Sequence, residues 1–260
     1  VRIALGMEYD GSHFCGWQSQ PSGCGVQDIL EQALTQIACH PIRVITAGRT
    51  DTGVHAFAQV VHFETDVARA DTAWVRGVNA LLPKSVSIQW MQLVPDEFHA
   101  RFSAMDRCYR YILLNQPVRP AILQGKVGWY HAPLDIVKMQ EAANMLIGEH
   151  NFSAFRAAEC QAKSPVKNLR KLEITQHGNY FIFDLCANAF LHHMVRNIVG
   201  SLIYVGNGKQ VPSWMKVLLE STDRKKAAPT FAPDGLYLAK IAYDPKFQLP
   251  EFANSHLLLA

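Results

Sequence analysis

The chain has 260 residues, 49% hydrophobic and 18% charged, which is enough apolar material for one large domain or two of ordinary size and too much for a disordered chain. A formal charge of +3 and a pI near 8.5 suit a polyanionic partner without requiring one. The six cysteines, at 15, 24, 39, 108, 160 and 186, form no Cys-x-x-Cys pair, so reduced thiols in a cytoplasm are expected, with neither a disulfide framework nor a zinc site. The opening residues alternate like a strand rather than a signal peptide, and no run of about eighteen apolar residues occurs, so the expected chain is cytosolic, with no membrane partner.

In chain order, Ile3, Leu5, Met7 and Tyr9 share one face of a strand at about 2 to 9. Val26, Ile29, Leu30, Ala33, Leu34 and Ile37 recur at three- and four-residue spacing, which predicts a helix from about 25 to 39 that Pro41 ends. Ile42 to Ala47 reads as a strand entering a polar turn, and Gln59 to Glu64 as the strand leaving it. Asp71 to Leu82 reads as a second helix, capped by Asp71 and stopped by Pro83, before a strand at about 86 to 94. The second half repeats this order in outline. A strand at about 107 to 115 leads to a helix at about 135 to 147 and paired strands near 169 to 176 and 180 to 187. A long helix at about 189 to 205, a short one near 212 to 220 and a strand near 236 to 243 complete it. The pattern predicts two α+β units with largely antiparallel sheets, residues 1–104 and 105–260, with a cleft between them as the natural site.

Residues 48 to 56 read Gly-Arg-Thr-Asp-Thr-Gly-Val-His-Ala. Gly48 and Gly53 permit backbone angles that side chains forbid, so Asp51 is expected in a tight turn beside Arg49, a fixed carboxylate next to a cation. An Asx turn in which Asp51 only caps backbone amides fits the same residues. In Arg107-Cys108-Tyr109-Arg110-Tyr111-Ile112, period two sends Tyr109 and Tyr111 to one face and Arg110 to the other, an aromatic surface of the kind unstacked bases bind. Two core tyrosines with wet hydroxyls are the alternative. His192, His193, Arg196 and Asn197 interrupt an oily helix, where Arg196 needs an anion: Asp51 is one candidate and another carboxylate the alternative. Adjacent His192 and His193 are expected to point apart on that helix, so no metal site is expected. Leu236 opens the last strand after a Pro-rich loop and, taken alone, is a core residue.

Asp51-Thr52-Gly53 matches the aspartic-protease triplet, but no second such triplet exists, and Arg49 favours full ionisation over a shared proton. No Gly-x-x-x-x-Gly-Lys loop, Gly-x-Gly-x-x-Gly fingerprint or Gly-x-Ser-x-Gly elbow is present, so a nucleotide cofactor has no obvious seat.

Several separated stretches together carry a resemblance. They are Tyr9-Asp10-Gly11 with Gly16-Trp17-Gln18, the Gly48 to His55 stretch, Phe98-His99-Ala100-Arg101-Phe102, and Arg107-x-Tyr109-Arg110-Tyr111. Further along come Asn151-Phe152 to Phe155-Arg156, Phe190 to Asn197, and Gly235-Leu236-Tyr237-Leu238. In that order, over nearly the whole chain, they resemble the tRNA pseudouridine synthase A family. The resemblance implies two ferredoxin-like or RRM-like halves in one extended, mainly antiparallel sheet with flanking helices and a central RNA-binding cleft. It also implies a homodimer that acts on tRNA, isomerising uridine at positions 38, 39 and 40 of the anticodon arm by base flipping, with no cofactor and no metal. By matching motif, Asp51 is the catalytic aspartate, Tyr109 the aromatic that stacks on the target base, and Arg196 the partner of the aspartate. Leu236 is the apolar wall, and Arg49 resembles the residue that helps displace the base. Tyr111 and Arg110 join Tyr109 as expected substrate contacts. Arg119, Lys126, Lys163, Lys167, Arg170, Lys171, Arg224, Lys225 and Lys226 are candidate phosphate contacts. Thr52 stands where the family often has Ala.

Overall fold

Residues 1–160 and 162–252 are described by a computed structural model. The first strand, β1 (Arg2–Tyr9), is buried on both faces, not one: Ile3, Leu5 and Met7 point one way, Ala4 and Gly6 the other. The second face needs small residues, because Trp90, the partner of Gly6 on β4 (Val86–Val94), lies where a Cβ on Gly6 would stand. Helix α1 (Val26–Ala38) buries Val26, Leu30, Ala33 and Leu34 and ends at Cys39, which takes a left-handed φ of 59° two residues before Pro41.

The strand expected over Ile42 to Ala47 shrinks to β2 (Ile45–Thr46). Side chains of α1 take the backbone amides that a ladder would use: Ile42 N–H donates to Thr35 Oγ1 at 3.0 Å and Val44 N–H to Glu31 Oε1 at 3.0 Å. The strand after the turn, β3 (His55–Glu64), starts earlier than expected and is buried along most of its length. Asp71 lies inside its helix and does not cap it. That helix runs through a π-helical stretch, Ala73–Gly77, into α2 (Val78–Leu81), and Asn79 ties it to β4 by hydrogen bonds to both the N–H and the C=O of Ile88.

In this unit the strand order is β4-β1-β3-β10, with β2 also paired to β3. Every pairing is antiparallel except that of β10 (Leu236–Tyr243), which runs parallel to β3 with Tyr237 opposite His55. The returning chain therefore leaves the second unit. Among the described residues, the compact units are 1–106 together with 237–252, and Arg107–Leu236, whereas the sequence reading runs the second unit to residue 260. Ala4, Val60, Trp90, Val94, Phe98, Ala100 and Phe247 form one apolar cluster of the first unit, with Ile241, Tyr243, Leu249 and Phe252 packed on it.

The second unit contains β5 (Ala104–Asn115), β6 (Gly128–Tyr130), β7 (Gly148–Asn151), β8 (Val166–His177) and β9 (Tyr180–Ala187). Their order is β5-β9-β8-β7, antiparallel throughout, with β6 parallel to β5. Its helices are α3 (Ile136–Asn144), capped by the Asp135 carboxylate, α4 (Met194–Gly206) and α5 (Trp214–Ser221). The architecture is α+β, with mainly antiparallel sheets, as the pattern of elements predicts.

Four cysteines depart from the expectation of reduced thiols. Cys15 and Cys24 are bridged, as are Cys108 and Cys186, which face each other across β5 and β9 with Cα atoms 4.1 Å apart. Spacing along the chain carries no information on cross-strand register, which is why 78 residues of separation hid this pair. Cys39 and Cys160 are free thiols.

Candidate active site

The turn that carries Asp51 closes through the backbone, Val54 N–H donating to the Asp51 carbonyl at 3.1 Å, and its third residue, Gly53, has φ 79°. Gly48 needs no such freedom. The glycine that does crowd the turn is Gly16, at φ 92°: a Cβ there would meet the Thr50 carbonyl oxygen at 2.8 Å and the Thr52 nitrogen at 3.1 Å. Next to it, Trp17 N–H donates to the Thr50 carbonyl at 3.0 Å.

Beneath the turn runs a buried polar chain. Gln59 on β3, fully buried, donates to the Gly48 carbonyl at 2.7 Å and to the Tyr9 hydroxyl at 3.4 Å. The Tyr9 hydroxyl is 2.7 Å from Thr50 Oγ1, and Thr46 Oγ1 gives the Gly48 carbonyl its second hydrogen bond at 3.1 Å. Burial pushes the Tyr9 phenol up to about 12, against the pull of its Thr50 and Gln59 hydrogen bonds, so it stays a neutral bridging group at physiological pH. The residues that lead into Asp51 are thus fixed from below and from the side. Asp51 itself is half-buried, Thr50 buried and Arg49 exposed.

In the second unit, β5 carries Tyr109 and Tyr111 on one face, but at different depths. Tyr111 is fully buried, donates its hydroxyl to the Ala232 carbonyl at 2.8 Å and packs against Phe183 and Phe231. A ring with no exposed surface has no face to offer a base, so the expected substrate contact at Tyr111 is replaced by the core reading. Tyr109, two residues nearer the strand start, is half-buried and meets Phe190 edge to face at 5.1 Å. Arg110 points to the other face and forms a two-pronged pair with Asp184, its cross-strand neighbour, at 2.8 and 3.0 Å.

Arg196 sits in the first turn of α4 and is half-buried, and its Nε donates to the Phe231 carbonyl at 2.7 Å. The neighbouring Asn197 is fully buried and binds three groups: its amide donates to the Phe155 carbonyl, while its oxygen accepts from Arg224 and from Thr230. Arg224, expected as a phosphate contact, is instead drawn inward onto Asn197, Thr230 and the Ala228 carbonyl, and burial lowers its pKa. His192 and His193 precede α4 rather than riding on it. His193 takes a left-handed φ of 60°, so the two rings lie side by side, 4.0 Å apart, and do not point apart as expected. Leu236, 5% exposed, follows a tight turn in which its N–H reaches the Pro233 carbonyl.

The model of the tRNA pseudouridine synthase family matches residues 6–103 and 142–244. The chain belongs to that family. Three tRNA pseudouridine synthase A proteins illustrate how similar its relatives are. The one from Nitrosomonas eutropha is 59% identical over 252 residues, 97% of this chain and 91% of that protein. Those from Methylobacillus flagellatus and Dechloromonas aromatica are each 58% identical, over 96% of this chain and 96% of theirs. In this pseudouridine synthase family member, Asp51 and Arg49 lie in the first unit, while Tyr109, Arg196 and Leu236 lie in the second. Reading the sequence alone missed Tyr9, Gly16, Thr50 and Gln59 as supports of the Asp51 turn. Their signal was present, since Tyr9 and Gly16 head two of the family motifs, but nothing local says that they pack on residues 48 to 52. Among the described residues, no helix is long and apolar enough to cross a membrane.

Proposed function

We propose that this chain isomerises uridine to pseudouridine in the anticodon arm of tRNA, at positions 38, 39 and 40, with Asp51 as the catalytic carboxylate. The observation that carries the reading is near-complete alignment, at 59% identity, with a tRNA pseudouridine synthase A. The rigid seating of the Asp51 turn supports the residue assignment.

In the reaction, the bond from uracil N1 to the ribose C1′ breaks and a bond from C5 to C1′ forms, while the C5 proton leaves and N1 gains one. Atoms and electrons balance within the substrate, so the conversion calls for no redox partner, nucleotide or hydrolytic metal. Whether the carboxylate attacks C1′, attacks the base ring or abstracts a ribose proton, each route needs an ionised acid at residue 51. Arg196 orients that acid, with its own guanidinium held by the Phe231 carbonyl. Flipping the base out of its stack costs a few kcal/mol. Tyr109 and Leu236 recover part of that by enclosing its faces, and Arg49 helps to displace it. The working form is a cytoplasmic homodimer.

The test is to incubate purified chain with an unmodified tRNA transcript and map pseudouridine by mass after derivatisation specific to that nucleoside. The expected product is pseudouridine confined to the anticodon arm. Unmodified uridine at all three positions, with protein shown to be folded, would remove the proposal.

A further inference from the structure

The stretch Phe98-His99-Ala100-Arg101-Phe102 has no part in the reaction described above, yet the structure builds it with unusual care. Phe98 and Ala100 are fully buried in the first unit's apolar cluster, and Ala100 N–H donates to Nδ1 of the buried His62 at 3.1 Å. His99 organises the rest. Its N–H donates to Ser103 Oγ at 3.0 Å, its carbonyl accepts Ser103 N–H at 2.8 Å, and its Nδ1 accepts the N–H groups of both Arg101 and Phe102 at 3.2 Å. Two donors aimed at Nδ1 require a neutral imidazole with its proton on Nε2. The tip of the turn is therefore held by side chain to backbone bonds.

That rigid tip displays Phe102 at 76% exposure, and it is the single Phe, Tyr or Trp among the described residues whose side chain is exposed. The ring stacks on His99, centroids 4.3 Å apart with planes 27° from parallel, and the exposed Arg101 guanidinium lies 5.6 Å from its centre. The neighbouring acids Glu64 and Glu97 are paired with Arg2 and Lys246. A fixed aromatic ring beside a guanidinium is the arrangement on which an unpaired base stacks while its phosphate meets the cation. One ring is far smaller than the roughly 800 Å² per partner that a stable protein interface covers, but it matches one base. His62, against which the turn is fastened, is seven residues along β3 from His55, about 23 Å at the usual strand rise, so the turn stands well away from Asp51.

We propose that the His99–Phe102 turn is a second stacking site, which holds an unpaired base of the RNA substrate other than the uridine being isomerised. The inference rests on tRNA being the substrate, and its test separates the two claims. Full-length Phe102→Ala, Phe102→Trp and Arg101→Ala variants are titrated with unmodified tRNA at several salt concentrations. Phe102→Ala is expected to weaken binding roughly 5- to 100-fold at an unchanged salt slope and an unchanged Tm, because stacking releases no counterions. Phe102→Trp is expected to restore affinity, with emission above that of the native tryptophans quenched by tRNA. Arg101→Ala should lower the salt slope by about one. Wild-type affinity in Phe102→Ala, alongside normal pseudouridine formation, overturns the stacking site and leaves the enzyme reading intact. A change in sedimentation of Phe102→Ala without loss of tRNA affinity also overturns it, in favour of a protein contact. Wild-type protein that neither binds nor modifies tRNA overturns both claims.

Discussion

Tyr9 acts on Asp51 at one remove. Its hydroxyl links Thr50 and Gln59, both buried, and Gln59 in turn holds the Gly48 carbonyl. Tyr9→Phe keeps the ring and deletes the link, leaving Thr50 Oγ1 short of one partner at a cost of about 1–2 kcal/mol. If this chain of bonds positions the carboxylate, urea melts will show that loss and single-turnover assays will show a lower rate with tRNA affinity kept. A variant that melts earlier yet turns over at the wild-type rate would make the network purely structural. Sequence could single out Asp51 because a charged turn between apolar strands is locally unusual. It could not single out Tyr9 or Gln59, whose roles exist only once β1 and β3 are paired. Tyr109 and Tyr111 show a second limit: period two assigns a face, but burial depth along that face depends on what packs there, and one ring became core while the other stayed half-open.

Among the elements, α4 is held by polar ties as well as by its oily face. Asn197 joins it to Phe155 and, through Arg224 and Thr230, to the stretch before Phe231, whose carbonyl steadies Arg196. Asn197→Leu would leave the Phe155 carbonyl without its amide donor and take one acceptor from Arg224 and Thr230, so a stability loss of about 1–3 kcal/mol is expected from chemical denaturation. A loss under half a kcal/mol would mean that water replaces those bonds without strain. The helix itself was legible from Met194, Val195, Ile198, Val199 and Leu202 at helical spacing. Its start was not, because Leu191 extends the apolar pattern one turn too far while His193 turns the chain through a left-handed conformation. The short β2 shows the same kind of failure, since side chains of α1 compete for backbone amides in a way no alternation pattern records.

At the scale of the molecule, two α+β units were readable because apolar periodicity survives in almost every element. The return of the last strand to the first unit was not, since parallel pairing of β10 with β3 has no local signature. One global property follows from His62. Burial, with help from the Arg2 charge, lowers its pKa from 6.5 to about 4. The unfolded chain therefore gains this proton near pH 6.5 while the folded chain resists until about pH 4, so the stabilisation is complete above pH 6.5 and fades as pH falls towards 4. Scanning calorimetry should show the Tm gap between wild type and His62→Gln narrowing over that window. Parallel decline of the two proteins would assign the acid sensitivity to other groups.

In the proposed function the charge on Asp51 performs the chemistry and not the binding. The most direct measurement is tritium release from C5-labelled tRNA by Asp51→Asn protein, with tRNA affinity determined on the same sample. The expected result is affinity close to wild type with no release above background; release at the wild-type rate would contradict a catalytic role for Asp51.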